Sequence, residues 1–158
     1  VSKDVIVQCS GNPGGDGLGL AIAFKSNGKG DITESHRLWE FKQKSADGST
    51  PVVYNGSAYM VRDTGVAYCL ALKTGKLRWE ERLSKDARAP YFAAAIAGDG
   101  KVYFISVDGV CSVVKAGSKF EILANNKLDG NFYATPAVSE NTLYLRSENA
   151  LYAIPATP

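Results

Sequence analysis

Apolar residues alternate with polar or small ones in short runs along the whole chain, and helical spacing is absent. From Thr50 the stretch "TPVVYNGSAYMVRDTGVAYCLALKTGKLRWEERL" opens on small or β-branched residues and turns at Asn55-Gly56. It then runs through an alternating strand "AYMV", a second turn and a third strand "AYCLAL". The same order returns from Ala93, with the turn Gly98-Asp99-Gly100 and the strands "VYFI" and "CSVV". It returns again from Thr135, with Glu140-Asn141, "LYLR" and "LYAI". Gly, Asn and Asp stand where tight hairpins need positive φ. Lys73-Thr74-Gly75-Lys76 reads as the turn into a fourth, outermost strand that carries Trp79.

The interval between copies is regular. Tyr59, Tyr103 and Tyr144 are separated by 44 and 41 residues. Gly75 and Gly117 lie 42 apart, Cys69 and Cys111 also 42, and Trp39 and Trp79 40. A repeat of about 40–45 residues with four strands per unit is the signature of β-propeller blades. One twisted sheet cannot cover both of its apolar faces, and stacking on its neighbours does so. An earlier, degenerate copy supplies "VIVQCSG", "LGLAIAF" and "RLWEFK" as second, third and fourth strands, with longer loops at 11–17 and 25–35. The pattern predicts an all-β chain: an open arc of about four blades of four-stranded antiparallel sheet, at about 1–44, 50–84, 93–128 and 132–155. The first blade lacks its innermost strand and the last its outermost, so the chain reads as a piece of a longer propeller whose other blades are its first partners.

Composition changes this picture little. The 158 residues are 45% hydrophobic and 22% charged, with a net charge of +2, as in a soluble globular protein. The charge is too mild, and the Lys/Arg runs too short, to point to nucleic acid. The longest apolar stretches, Leu18–Phe24 and Tyr91–Ala97, fall far short of a membrane span. Neither an initiator Met nor a signal peptide is present in the sequence. Cys9, Cys69 and Cys111 are widely spaced, with no C-x-x-C, and offer no structural zinc set. Cys69 and Cys111 are expected at equivalent third-strand positions, too far apart to bond, and all three cysteines as buried, inert thiols.

Candidate chemistry is sparse. Asp31, Glu34 and the sole histidine, His36, share the stretch "NGKGDITESHRLW". They offer a shared proton or a metal ligand, or simply a hairpin loop bonding its own backbone. "NPGGDG" at Asn12–Gly17 offers an anion nest or a calcium loop, but lacks the EF-hand spacing. Arg62-Asp63, Ser106-Val107-Asp108 and Arg146-Ser147-Glu148 follow equivalent strands and line one rim, or merely make turns. Tyr91-Phe92 and Phe132-Tyr133 precede inner strands. They line the mouth of a central channel or fill space between blades. Trp39, Thr74, Gly75, Trp79 and Gly117 read as structural, the tryptophans docking blade on blade.

"LALKTGKLRW", Leu70–Trp79, resembles the PQQ-binding-like β-propeller repeat, A-x-D-x-x-T-G-x-x-x-W, of the quinoprotein alcohol dehydrogenase-like superfamily. It matches at Ala71, Thr74, Gly75 and Trp79 and lacks the Asp. "KAGSKFEIL" is a degenerate copy with Gly117 and no Trp. The run from "GKGDITESHRLWEF" to "KLRW" is similar to a bacterial subgroup of exported propellers, which implies an exported or periplasmic location. Quinone-dependent members use a vicinal Cys pair, a Trp platform, a calcium ion and an Asp base. That constellation is not readable in this sequence, so no cofactor is evident and PQQ enters through the resemblance alone. The resemblance implies a non-catalytic scaffold or binding module of the bacterial envelope, taking a protein or peptide. The alternative is a portion of a quinone- or metal-dependent oxidoreductase whose site lies largely outside this piece.

Overall fold

The alternating runs form strands because one face of each must be buried, and each strand ends where a Gly, Asn or Asp reverses the chain. The computed structural model describes residues 4–11, 19–42, 46 and 48–156. Among them the chain is all-β, in four antiparallel sheets. The first holds β1 (Val5–Ser10), β2 (Leu20–Lys25) and β3 (Arg37–Phe41). The second holds β4 (Val52–Tyr54), β5 (Ser57–Val61), β6 (Val66–Ala71) and β7 (Leu77–Arg82). The third holds β8 (Ile96–Gly98), β9 (Lys101–Ile105), β10 (Val110–Lys115) and β11 (Ile122–Lys127). The fourth holds β12 (Ala137–Ser139), β13 (Thr142–Arg146) and β14 (Leu151–Pro155). Every sheet is a simple meander, the topology of successive propeller blades, and the four make an open propeller fragment. No helix among the described residues is long and apolar enough to cross a membrane.

The core lies between sheets rather than within them. Tyr59, Cys69 and Trp79 stand in register across the second sheet and face the third. Met60, Tyr68 and Leu70 point the other way and pack with Ala23, Trp39 and Phe41 of the first sheet. β5 is therefore buried along its whole length.

Each outermost strand carries a bulge at one place. It falls opposite Ala23/Phe24, Cys69/Leu70 and Val113/Val114, so that Leu38, Arg78 and Leu123 are the extra residues. A bulge re-aims the side chains beside it. Leu77 and Trp79, two apart in sequence, thereby face opposite sides: Leu77 packs toward the first sheet and Trp79 toward the third.

The paired strands also correct one expectation. Cys69 lies opposite Tyr59, whereas Cys111 lies opposite Ile105. The equivalent of Cys69 is Val113, which lies opposite Tyr103. The sequence interval of 42 between the cysteines is two residues short of the 44 that separates the paired tyrosines. All three thiols are free, but only Cys69 and Cys111 are buried; Cys9 is half-buried, its thiol 3.7 Å from Met60 Sδ.

Candidate functional site

The turns that follow the second strand of each complete sheet build one rim. Arg62 N–H donates to Val66 O, and Gly65 N–H to Arg62 O. Asp63 accepts from Thr64 N–H at 2.7 Å, and its own carbonyl accepts from Tyr91 N–H. The next sheet repeats the arrangement. Ser106 N–H donates to Val110 O, Gly109 N–H to Ser106 O, and the Val107 carbonyl accepts from Phe132 N–H. The connections from β7 to β8 and from β11 to β12 are thus stitched to the rim of the sheet before them.

This stitching separates the two rings of each aromatic pair. Tyr91 and Phe132 are buried, at 2% and 1% exposed, over Gly65 and Gly109, where side chains would leave no room for them. Phe92 and Tyr133 point outward, at 44% and 59% exposed. Their rings stack on each other at 6.5 Å, only 15° from parallel. Gly48 lies beside the Phe92 ring and adds no side chain to cover it. One ring of each pair fills the space between sheets, and the other makes a solvent-facing platform.

Charge surrounds this rim. Asp108 accepts from Ser106 Oγ at 2.6 Å and from Arg88 N–H at 3.1 Å, with Lys127 Nζ 3.6 Å away. Partial burial pushes the Asp108 carboxyl up, but those bonds outweigh it and hold it below the usual carboxylate range. Arg62 Nε and the Tyr68 and Tyr91 hydroxyls are buried without a hydrogen-bond partner among the described residues. Burial, and then Glu80, raises the Tyr68 hydroxyl.

The stretch holding Asp31, Glu34 and His36 does not converge. Asp31 accepts from Thr33 N–H at 2.9 Å, and this bond holds its carboxyl below the usual value. Glu34 pairs with Arg37 at 2.6 Å, and His36 Nδ1 lies 2.7 Å from Ser35 Oγ. No group of three His, Cys, Asp or Glu among the described residues could hold a metal ion. Asn12–Gly17 lies outside the described residues.

Trp39 and Trp79 dock sheet on sheet. Trp39 Nε1 donates to Leu72 O at 2.7 Å, and its ring lies against Gly75. Trp79 Nε1 donates to Gly117 O at 3.1 Å, between Tyr59 and Phe120. Thr74 holds the turn from β6 to β7: its Oγ1 accepts from Lys76 N–H at 3.4 Å. With both indoles buried between sheets, the thiols far apart in the fold and no convergent carboxylates, the described residues do not fit a quinone and calcium site. Sequence reasoning passed over Tyr54, whose hydroxyl accepts from Gly100 N–H at 3.0 Å across the same junction as Trp79. Its only signal was position: it ends an innermost strand, just before a turn.

Comparisons with known proteins agree with this architecture. No curated protein matches the chain. Among solved structures, the chain is similar to BamB from Moraxella catarrhalis, with a TM-score of 0.62 and 14% identity over 87% of this chain and 40% of that one. It therefore spans two fifths of the length of that protein. The computationally designed Ika4 protein aligns with a TM-score of 0.68 and 13% identity, over 98% of this chain and 88% of that one. A europium-containing methanol dehydrogenase aligns with a TM-score of 0.58 and 14% identity, over 82% of this chain and 24% of that one. At such identities these likenesses show the fold alone. The family model described as outer membrane protein assembly factor BamB matches residues 31–119, more than half of the sequence. The chain belongs to that family of PQQ-like β-propeller repeats.

Proposed function

We propose that the chain is part of a non-catalytic propeller of the bacterial envelope that binds protein or peptide segments on its rim. The observation that carries this reading is the exposed stack of Phe92 on Tyr133. Two large aromatic rings held open to solvent are costly unless something covers them, and aromatic anchors dominate protein interfaces. The rings are held rigidly because their neighbours, Tyr91 and Phe132, are locked between sheets. Little ordering entropy is then lost on binding. Arg88, on the connection that carries Phe92, and Asp63 and Asp108, on the adjoining rim turns, supply a polar margin. The family's description as an outer membrane protein assembly factor supports an envelope location and a protein partner.

The test is a selection of short peptides on the chain, followed by titration against a Phe92→Ala/Tyr133→Ala variant. Selected peptides should bind the variant about tenfold more weakly or worse, while its thermal unfolding is unchanged. Equal affinity for both forms would remove the rim from consideration. An orthoquinone absorbance band together with bound calcium in the purified protein would favour the oxidoreductase reading instead.

A further inference from the structure

Two of the three junctions between sheets are closed by a tryptophan of the outermost strand, and the third lacks it. In the second sheet, Tyr54 and Trp79 reach across to the turns of the third, bonding at Gly100 N–H and Gly117 O. Register gives their counterparts in the third sheet. Tyr54 lies opposite Ser57 as Gly98 lies opposite Lys101. Trp79 lies opposite Cys69 as Ala124 lies opposite Val113. The bulge before Ala124 is the same as the one before Trp79, so the strand still aims this position at the next sheet. Only the rings are missing.

The consequence is a cleft of about 800 Å³ between the third and fourth sheets. Its third-sheet wall includes Ile96, Tyr103 and Val113, and its fourth-sheet wall Val138, Leu143 and Ile154. The positions equivalent to Leu143 and Ile154 one sheet earlier are Val102 and Val114, both fully buried under Tyr54, Tyr59 and Trp79. In the fourth sheet Ile154 is 41% exposed and Val138 63%. The far end of the same junction is closed by Cys111, Phe132 and Leu145. The cleft runs from Gly98 and Ala156 at its open end to Cys111 and Leu145 at this closed end, past Val113, the strand partner of Ala124.

Each indole bonds a turn carbonyl of the next sheet, Trp39 that of Leu72 and Trp79 that of Gly117 one position further along, and the first of these positions recurs at the cleft. Leu72, whose carbonyl takes the Trp39 N–H, donates its own N–H to Gly56 O. Ala116 does the same to Gly100 O, and Ala156 to Asn141 O at 2.8 Å. Ala156 therefore stands in the fourth sheet where Leu72 stands in the second, and it lines the cleft. The Tyr103 hydroxyl, counterpart of the Tyr59 hydroxyl that accepts from Gly117 N–H, has no hydrogen-bond partner among the described residues.

We propose that this cleft binds a tryptophan side chain presented by a peptide segment of a partner protein. The indole lies on Val113, beside Ala124, and donates its N–H to the Ala156 carbonyl as Trp39 does to that of Leu72. The cleft is of the size that holds small ligands, so residues flanking the tryptophan also find room. A second copy of this chain does not supply the ring, because Trp39 and Trp79 are both buried in their own junctions. The site is distinct from the Phe92–Tyr133 platform, and either can fail without the other.

The experiment titrates the chain with the peptide Gly-Ser-Trp-Ser-Gly and its leucine twin Gly-Ser-Leu-Ser-Gly, following methyl resonances of Val113, Leu143 and Ile154. The tryptophan peptide should shift these methyls and bind about tenfold more tightly than the leucine twin or better. Ala124→Trp should fill the cleft from within, abolish the shifts and raise the unfolding temperature. Should Ala124→Trp fail to fold, Val138→Asp at the mouth gives the same reading: about tenfold weaker binding with unchanged unfolding temperature. Equal binding of the two peptides, no shift with the tryptophan peptide, or full binding by a folded Ala124→Trp or Val138→Asp chain would each overturn the proposal.

Discussion

At the scale of single residues, the two tryptophans and the histidine separate packing from candidate chemistry. Trp79 is 7% exposed, bonded to Gly117 O and set against Tyr59 and Phe120. Trp79→Ala removes a large buried side chain and leaves a cavity, so it should cost about 3–5 kcal/mol of stability by urea denaturation. His36→Ala loses one bond to an exposed serine and should cost less than about 1 kcal/mol in the same measurement. A severe loss at His36 beside a mild one at Trp79 would reverse this ranking. The thiols give a second prediction. Burial pushes Cys111 up to about 11 and Cys9 up to about 12, the latter against a small opposing bond from Ala46. Between the ordinary thiol value and these raised ones, the native chain keeps protons that the unfolded chain releases. This contribution to stability is complete below about pH 9 and is lost as pH rises through the raised values. The urea midpoint of the native chain should therefore fall between about pH 8 and about pH 10.5 by more than that of Cys111→Ala. Equal falls would show that Cys111 does not carry the effect. A thiol reagent near pH 8 should find no fast-reacting cysteine before denaturation, and all three after it.

At the scale of elements, the turns carry the repeat, and they explain what the sequence discloses and what it hides. Gly56 and Gly75 have nearly the same positive φ, 69° and 67°. A Cβ at Gly56 meets nothing within 4 Å, whereas one at Gly75 falls 2.7 Å from the Trp39 ring. Gly56→Ala should therefore cost about 1 kcal/mol, the ordinary penalty for a side chain at positive φ. Gly75→Ala should cost clearly more, because the first junction must open as well. Urea denaturation of the pair checks this, and equal losses would mean that Trp39 gives way freely. The strands, the meander and the turn at Thr74-Gly75 into the outermost strand were legible, because alternation and hairpin residues are local signals. The bulges were not. Leu77-Arg78-Trp79 reads as a plain alternation that puts Leu77 and Trp79 on one face, and only the paired strand shows the extra residue that separates them. The equivalence of Cys69 with Cys111 failed for a related reason: pairing across a hairpin sets register, and equal spacing along the chain does not. In the aromatic pairs the sequence offered both a channel lining and an interblade filler. The structure buries Tyr91 and Phe132 between sheets, over the glycines of the preceding rim, and leaves Phe92 and Tyr133 exposed.

At the scale of the whole molecule, the sheets form an arc whose ends are open, and the ends differ. Among the described residues β1 pairs only with β2, so it is an edge strand of the first sheet. The face of that sheet turned away from the second carries Ile22 and Phe24, both half-buried. At the other end, β12 and β14 are both edges. In the last sheet, register turns Leu143 and Leu145 inward toward the third sheet and leaves Tyr144 outside. Exposed edges and half-covered apolar faces favour pairing with another chain. Residues 1–158 prepared on their own should therefore associate as concentration rises, with light scattering reporting a mass above the 16.9 kDa of one chain. Edge pairing is the driving contact, so a charge there should oppose it. Val7→Lys would confuse the result, because Val7 packs against the first junction. Gln8→Lys, on the outward face of the same edge strand, is the cleaner variant and should shift association to higher concentration without lowering the unfolding temperature. A single chain that stays monomeric at every concentration, and unfolds in one cooperative step, would show that the arc is self-sufficient and that its edges are protected in solution.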